Sequence, residues 1–243
     1  MTKKFFALGA LALATTPALA TDLWNQQVGL PQSPGGFGAA IDSVLADIPA
    51  DSCYQVSDVI VGNGGWTVTS ISMVVQDNAA SALSVIQADL NVFANTGQNM
   101  LPAVQDDPTG RTPITVLMTP VVGYTNVYLM TASGLNLNWA AGEYWVGLTG
   151  LGNYAGTGGE IYAGYSATNS AGANHASAVD NPGGGFFSSG WVTTGSITGD
   201  PYAVTNAYDA IDIQGVAAAP EPASMALLGL GIVGLVNRRR NRK

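Results

Sequence analysis

The stretch Leu135-Asn136-Leu137-Asn138-Trp139-Ala140-Ala141-Gly142-Glu143-Tyr144-Trp145-Val146-Gly147-Leu148 alternates apolar with polar residues on both sides of an Ala141-Gly142 break. A side-chain period of two is the pattern of a β-strand half-buried on one face. The break supplies a turn, so the segment reads as two strands joined through it. In the second arm Tyr144 and Trp145 point to opposite faces, and one of them belongs to the core. Glu143 alternates outward, at the exit from the turn.

The same pattern extends in both directions. Ile86, Ala88, Leu90 and Val92 alternate with Gln87, Asp89 and Asn91. In Trp66 to Val75 the apolar phase changes near Ser70, which predicts a bulge or a strand buried on both faces. Further strands are predicted over Val56–Val61, Ile114–Met118, Thr125–Thr131, Glu160–Ser166, Gly190–Thr194 and Ala207–Gln214. Turn clusters separate them, at Gly62-Asn63-Gly64-Gly65, Asp106-Asp107-Pro108-Thr109-Gly110 and Asn181-Pro182-Gly183-Gly184-Gly185. A short helix is expected over Ala39–Ala46, after a loop containing Pro34, Gly35 and Gly36. The fold class is therefore all-β, an antiparallel β-sandwich, with neither an internal repeat nor a second domain.

Composition narrows the function. The chain has 243 residues, of which 10% are charged, against about 25% in an ordinary domain. One Cys and one His remove most catalytic metal sites and any intramolecular disulfide. The basic residues sit at the ends: Lys3 and Lys4, then Arg238, Arg239, Arg240, Arg242 and Lys243. Between residues 21 and 219 Arg111 is the one basic residue against fifteen acidic ones, a formal charge of −14. Such a surface repels phosphate backbones, which argues against nucleic acid and leaves cations and neutral sugars open.

Both ends read as targeting segments. Lys3 and Lys4, the apolar run Phe5–Ala14 and the A-x-A site at Ala18 and Ala20 form a signal peptide over residues 1–20. The body then spans 21–216. Residues 217–243 combine Pro220-Glu221-Pro222, an apolar segment from Met225 to Val236 and the basic cluster. As a helix, Ala223 to Val236 reaches about 21 Å, short of a hydrocarbon core about 30 Å thick. The basic cluster is expected to stay cytoplasmic. A short transmembrane helix with a basic stop suits a temporary anchor.

These tail residues resemble the PEP-CTERM sorting signal of Gram-negative bacteria. The resemblance implies an exported protein held transiently at the inner membrane, cut by an exosortase and released to the cell surface or extracellular matrix. Family members generally occur in bacteria that make exopolysaccharide. Four body motifs also resemble a recurrent exported domain that precedes such tails: Gly65-Trp66-Thr67-Val68, Ala141-Gly142-Glu143-Tyr144-Trp145-Val146, Asn181-Pro182-Gly183-Gly184-Gly185-Phe186 with Trp191, and Asp209–Gly215. That second resemblance implies a jelly-roll-like sandwich, an architecture shared by many carbohydrate-binding modules.

Enzymatic chemistry finds little support in the residues. His175 reads as a solvated loop histidine, and Ser166 lacks a full G-x-S-x-G elbow. Glycoside hydrolysis needs two facing carboxylates, and no spacing selects such a pair. The G-x-G-x-x-G at Gly229, Gly231 and Gly234 lies in the apolar tail with no strand before it. For Ca²⁺, the turn residues Asp106 and Asp107, Asp77-Asn78 or Asp180-Asn181 offer oxygen ligands, without an EF-hand loop. For sugar stacking, Trp191 and Tyr154 beside Gly-rich loops are the best exposed platforms, with Trp145 a third candidate. Cys53 reads as a packed, inert thiol. The sequence thus points to a non-enzymatic surface or exopolysaccharide-matrix protein that binds polysaccharide. The alternatives are a purely structural or adhesive matrix protein and a polysaccharide hydrolase.

Overall fold

A computed structural model describes residues 20–27, 37–41, 43–45, 49–77, 85, 87–103, 113–152, 161–166, 169–185, 189–196 and 208–218. Among them lie fifteen strands. The first five are β1 (Thr21–Asn25), β2 (Phe37–Ile41), β3 (Ser43–Leu45), β4 (Tyr54–Val61) and β5 (Trp66–Asp77). There follow β6 (Gln87–Ala94), β7 (Ile114–Thr115), β8 (Leu117–Pro120), β9 (Val127–Trp139) and β10 (Gly142–Gly152). The last are β11 (Ile161–Ser166), β12 (Ala178–Asp180), β13 (Val192–Thr193), β14 (Tyr208–Asp209) and β15 (Ile211–Ala217).

They form an eight-stranded and a seven-stranded sheet. In the first, β5 is central. β9 takes one edge, and β15 followed by β11 takes the other. β1 flanks β15, pairing Thr21 with Gly215. In the second sheet β10 is central, between β4 and β6, because Tyr144 pairs with both Val59 and Ala94. The ladders are antiparallel except one: β3 runs parallel to β10, pairing Ser43 with Gly150.

The inner faces build the core that the alternation predicts. Val68, Ile71, Met73, Met130, Ile161 and Ile213 come from the first sheet; Val59, Val61, Ala88, Val146 and Leu148 come from the second. Paired sheets of this kind bury their apolar sides against each other. A hydrogen bond from a backbone N–H also reaches across between them. The pairing of β4 with β10 stops at Val146, and the Leu148 N–H donates to the Met73 sulfur at 3.0 Å.

Most predicted strands are present, and the differences have physical causes. The register of β5 against β9 shifts between Val68 and Ser70, where the apolar phase changes. Thr125–Thr131 and Leu135–Trp139 join into the single strand β9, which passes through Gly134 at φ +70°. Ala207–Gln214 divides at Ala210, whose N–H donates to Gly164 while its carbonyl accepts from Val74. Gly190–Thr194 is strand only at Val192–Thr193, and a 3-10 turn follows over Thr194–Ser196.

The helix expected over Ala39–Ala46 is a correction. Phe37–Ile41 is a strand paired to β11, and Ser43–Leu45 is a strand paired to β10. Open sheet edges there supply backbone partners that outweigh a modest helix propensity. Among the described residues no helix is long and apolar enough to cross a membrane. The expected signal peptide at 1–20 lies almost wholly outside the described residues, with only Ala20 described. The transmembrane segment from Met225 to Val236 lies outside them too.

At Gly65 the turn before β5 depends on glycine. Its N–H closes onto the Gly62 carbonyl at 3.1 Å with φ at +82°. A Cβ there would overlap the Trp139 carbonyl oxygen.

Candidate functional site

The outer face of the second sheet carries the residues with chemical potential. Along β4 the side chains of Tyr54, Val56, Asp58 and Ile60 share this face, because Asp58 pairs with Trp145 and Ile60 with Glu143. From β6, Phe93 stands opposite Trp145. A sandwich's outer face is ordinarily open to solvent; here Asn174, His175 and Trp191 lie over it. Tyr54, Val56, Trp145, Ala178 and Trp191 form a second apolar cluster under that cover.

Both arms of the sequence expectation for Tyr144 and Trp145 are therefore packed. Tyr144 lies against the main core, its ring stacked on Trp139 at 5.5 Å, and its hydroxyl donates to the Ala140 carbonyl. Trp145 is 1% exposed in the second cluster. Only one of the two was expected in a core; two apolar clusters, one on each face of the sheet, use both.

The same cluster corrects the platform expectation for Trp191. Its indole is 9% exposed and packs edge-on against Phe93 at 6.0 Å. The structure brings Trp145 and Trp191 together, but as packing partners under a cover. Alanine at Trp191 would remove a core aromatic, so loss of ligand binding on that change would not report sugar contact. Tyr154, Asp106 and Asp107 lie outside the described residues.

Beside Trp145 sits a polar cluster. Asp58 is fully buried and Glu143 is 8% exposed. The backbone N–H groups of Asn174 and His175 donate to Asp58 Oδ2 at 2.6 and 2.9 Å. Asn174 Nδ2 donates to Glu143 Oε1 at 3.1 Å, and His175 Nε2 lies 3.6 Å from the same oxygen. The His175 ring stacks on Trp145 with centroids 6.1 Å apart. His175 is thus not the solvated loop residue expected, and Glu143 is not an open turn exit. The covering chain recruits both.

Burial is the largest influence on Asp58 and pushes it up from 3.8 to about 7. Repulsion from Glu143 and a hydrogen bond between the two carboxyls act in the same direction. The backbone bonds from His175 and Asn174 oppose it. A second carboxyl beside a buried one disfavours its ionisation, so Asp58 holds its proton more tightly than burial alone would make it.

A second buried carboxyl lies between the sheets. Asp209 accepts from Gln55 Nε2, and Tyr165 donates to Gln55 Oε1 at 3.2 Å. Its backbone N–H donates to Ser177 Oγ at 2.7 Å. Burial raises Asp209 to about 7 against the pull of the Gln55 and Ser177 hydrogen bonds. Ser177 lies between His175 and the start of β12, so this network ties that part of the chain to the sandwich interior.

Of the other turn candidates, Asp180 and Asn181 are occupied by the fold itself, Asp77 ends β5, and Asn78 lies outside the described residues. Asp180 accepts from the Gly190 N–H at 2.8 Å, and burial raises its pKa. Asn181 Nδ2 donates to the Ala50 and Ser52 carbonyls. These bonds brace a loop in the manner of Asx turns. Among the described residues no group of three or more His, Cys, Asp or Glu is placed to hold a metal ion. Cys53 is buried against Val179.

Sequence reasoning passed over Asp58. Its signal was a carboxylate within the apolar run Val56-Ser57-Asp58-Val59-Ile60-Val61, a position that requires a partner.

Comparison with known proteins adds the address. Residues 218–241 match the PEP-CTERM protein-sorting motif. The match begins directly after β15, which ends at Ala217, and contains Pro220, Glu221 and Pro222. The tail is therefore an export and sorting signal with transient membrane anchoring, and an exosortase is its processing partner. No curated protein matches the chain.

Proposed function

We propose that the chain is a non-enzymatic structural protein of the cell surface or exopolysaccharide matrix of a Gram-negative bacterium. Export and exosortase processing deliver it there. The observation that carries this reading is the junction at Ala217, where a closed two-sheet body gives way to the sorting motif. The sandwich is the cargo and the tail is its address.

The burial of Trp145 and Trp191 weighs the structural reading above direct polysaccharide binding. Aromatics committed to packing offer no flat face to a sugar ring. The strongly acidic body also suits a hydrated matrix, since net charge keeps a protein soluble and discourages self-association.

Fractionation of producing cells with and without the exosortase tests the proposal. The wild type is expected in the surface or medium fraction. Loss of the exosortase, or replacement of Pro220, Glu221 and Pro222 by alanine, is expected to move most of the protein to the membrane fraction. An unchanged distribution in both would overturn the reading.

A further inference from the structure

We propose that Asp58 and Glu143 share a single proton that latches the Asn174–His175 segment onto the outer face of the second sheet, and that losing this proton loosens the latch. The geometry leaves few alternatives. Asp58 Oδ2 is occupied by two backbone N–H groups of the covering chain, and Glu143 Oε1 by Asn174. The other two oxygens, Asp58 Oδ1 and Glu143 Oε2, are buried with no donor among the described residues. Ionised carboxylates are acceptors only, so a buried pair of orphan oxygens is costly unless a hydrogen lies between them.

A protonated Asp58 supplies that hydrogen. Its Oδ1–H donates to Glu143 Oε2, while Oδ2 still accepts from Asn174 and His175. When the proton leaves for solvent, two negative charges face each other from neighbouring strands. The groups turned toward the pair are Asp58 from β4, Glu143 from β10, and His175 with Asn174 from the covering chain. β6 presents Phe93 opposite Trp145. Farther along the chain, at the end of β12, Asp180 is held by the Gly190 N–H.

The Asn174–His175 segment is the element that responds, because its two bonds to Asp58 Oδ2 and one to Glu143 Oε1 end on this pair, while its flanks are held by Gln26 on one side and by the pairing of β12 with β4 on the other. Closed, it shields Trp145, on which His175 stacks. Loosened, it exposes the aromatic cluster beneath. The sign follows from Asp58 being held above its ordinary value. The closed form binds the proton more tightly than the open one, so opening becomes easier as pH rises from about 4 to about 7 and then levels off.

Hydrogen exchange of the Asn174 and His175 amides in the full chain tests this, read as protection factors so that intrinsic exchange cancels. Protection is expected to fall up to about tenfold per pH unit between pH 5 and 7 and to change little above. Asp58→Asn places an N–H where the shared proton sits and keeps a carbonyl for the backbone donors. It is expected to stay protected with a flat profile. Glu143→Gln is expected to make the profile shallower, because its amide can donate to an ionised Asp58 while burial still holds that carboxyl up; this keeps the test open if Asp58→Asn fails to fold. His175→Gln and Asp209→Asn are expected to keep the slope. A slope that survives Asp58→Asn, or is undiminished in Glu143→Gln, or vanishes in His175→Gln, would overturn the proposal. So would protection restored at pH 8 by millimolar calcium, which would assign the two oxygens to a cation.

Discussion

Replacing Gly147 by alanine is expected to destabilise the sandwich by about 3 kcal/mol or more, the upper range for overpacking. Gly147 lies in β10 one residue beyond the last pair with β4. There β4 carries Gln55 across it, already paired to Val179 of β12. A Cβ on Gly147 would overlap the Gln55 carbonyl oxygen and press on the Val56 Cα. Both obstacles are backbone, so no rotamer change relieves them. Relief requires separating β4 from β10, which breaks the ladder carrying Asp58 and Trp145. Gly62→Ala is the control, since a Cβ there meets nothing within 4 Å. Its expected effect is within about 0.5 kcal/mol. Urea melts of the two variants check the pair. Equal midpoints would show that β4 yields, contrary to the packing described.

Acidification is expected to stabilise the fold, the reverse of the common behaviour of carboxylate-rich domains. Burial holds Asp58 and Asp209 at about 7 and Asp212 at about 6, each above the ordinary 3.8. For Asp212, repulsion from Asp22 adds to burial, and a hydrogen bond from Gln214 opposes it. Groups raised in the folded state bind protons there that the unfolded chain has already lost. Stability therefore falls as pH rises from about 4 to about 7 and flattens above. A tenfold difference in proton affinity is worth about 1.4 kcal/mol, so three such groups contribute on the order of several kcal/mol between pH 7.5 and 5. That corresponds to a rise in Tm of roughly 10 °C. Asp209→Asn is expected to remove part of the slope, because an amide keeps the Gln55 neighbourhood without the titration. A Tm at pH 5 equal to or below that at pH 7.5 would contradict this account.

The strands were legible because their alternation is a local property. The phase change at Ser70 even marks the bulge in β5, since a shifted register must appear as a shifted pattern. Ala39–Ala46 was misread because its small apolar residues suit either state. The edges that make it strand belong to β10 and β11, more than a hundred residues away.

The site was half legible for a similar reason. Alternation places Glu143 and Trp145 on one outward face, as observed. Nothing local says that this face is covered again by Asn174, His175 and Trp191. Trp191 looked exposed beside its glycines, yet those glycines let the chain turn back over Phe93. The sorting motif was legible because it works as a linear signal, read by order of residues and not by fold.

The most direct test of the account is the intact mass of the protein recovered from the surface or medium of its producer. The predicted mass lacks residues 1–20 and everything beyond the Pro220-Glu221-Pro222 region, leaving the two-sheet body that ends at Ala217 with at most a short stub. A full-length mass, or a basic apolar tail still attached to the released protein, would contradict it.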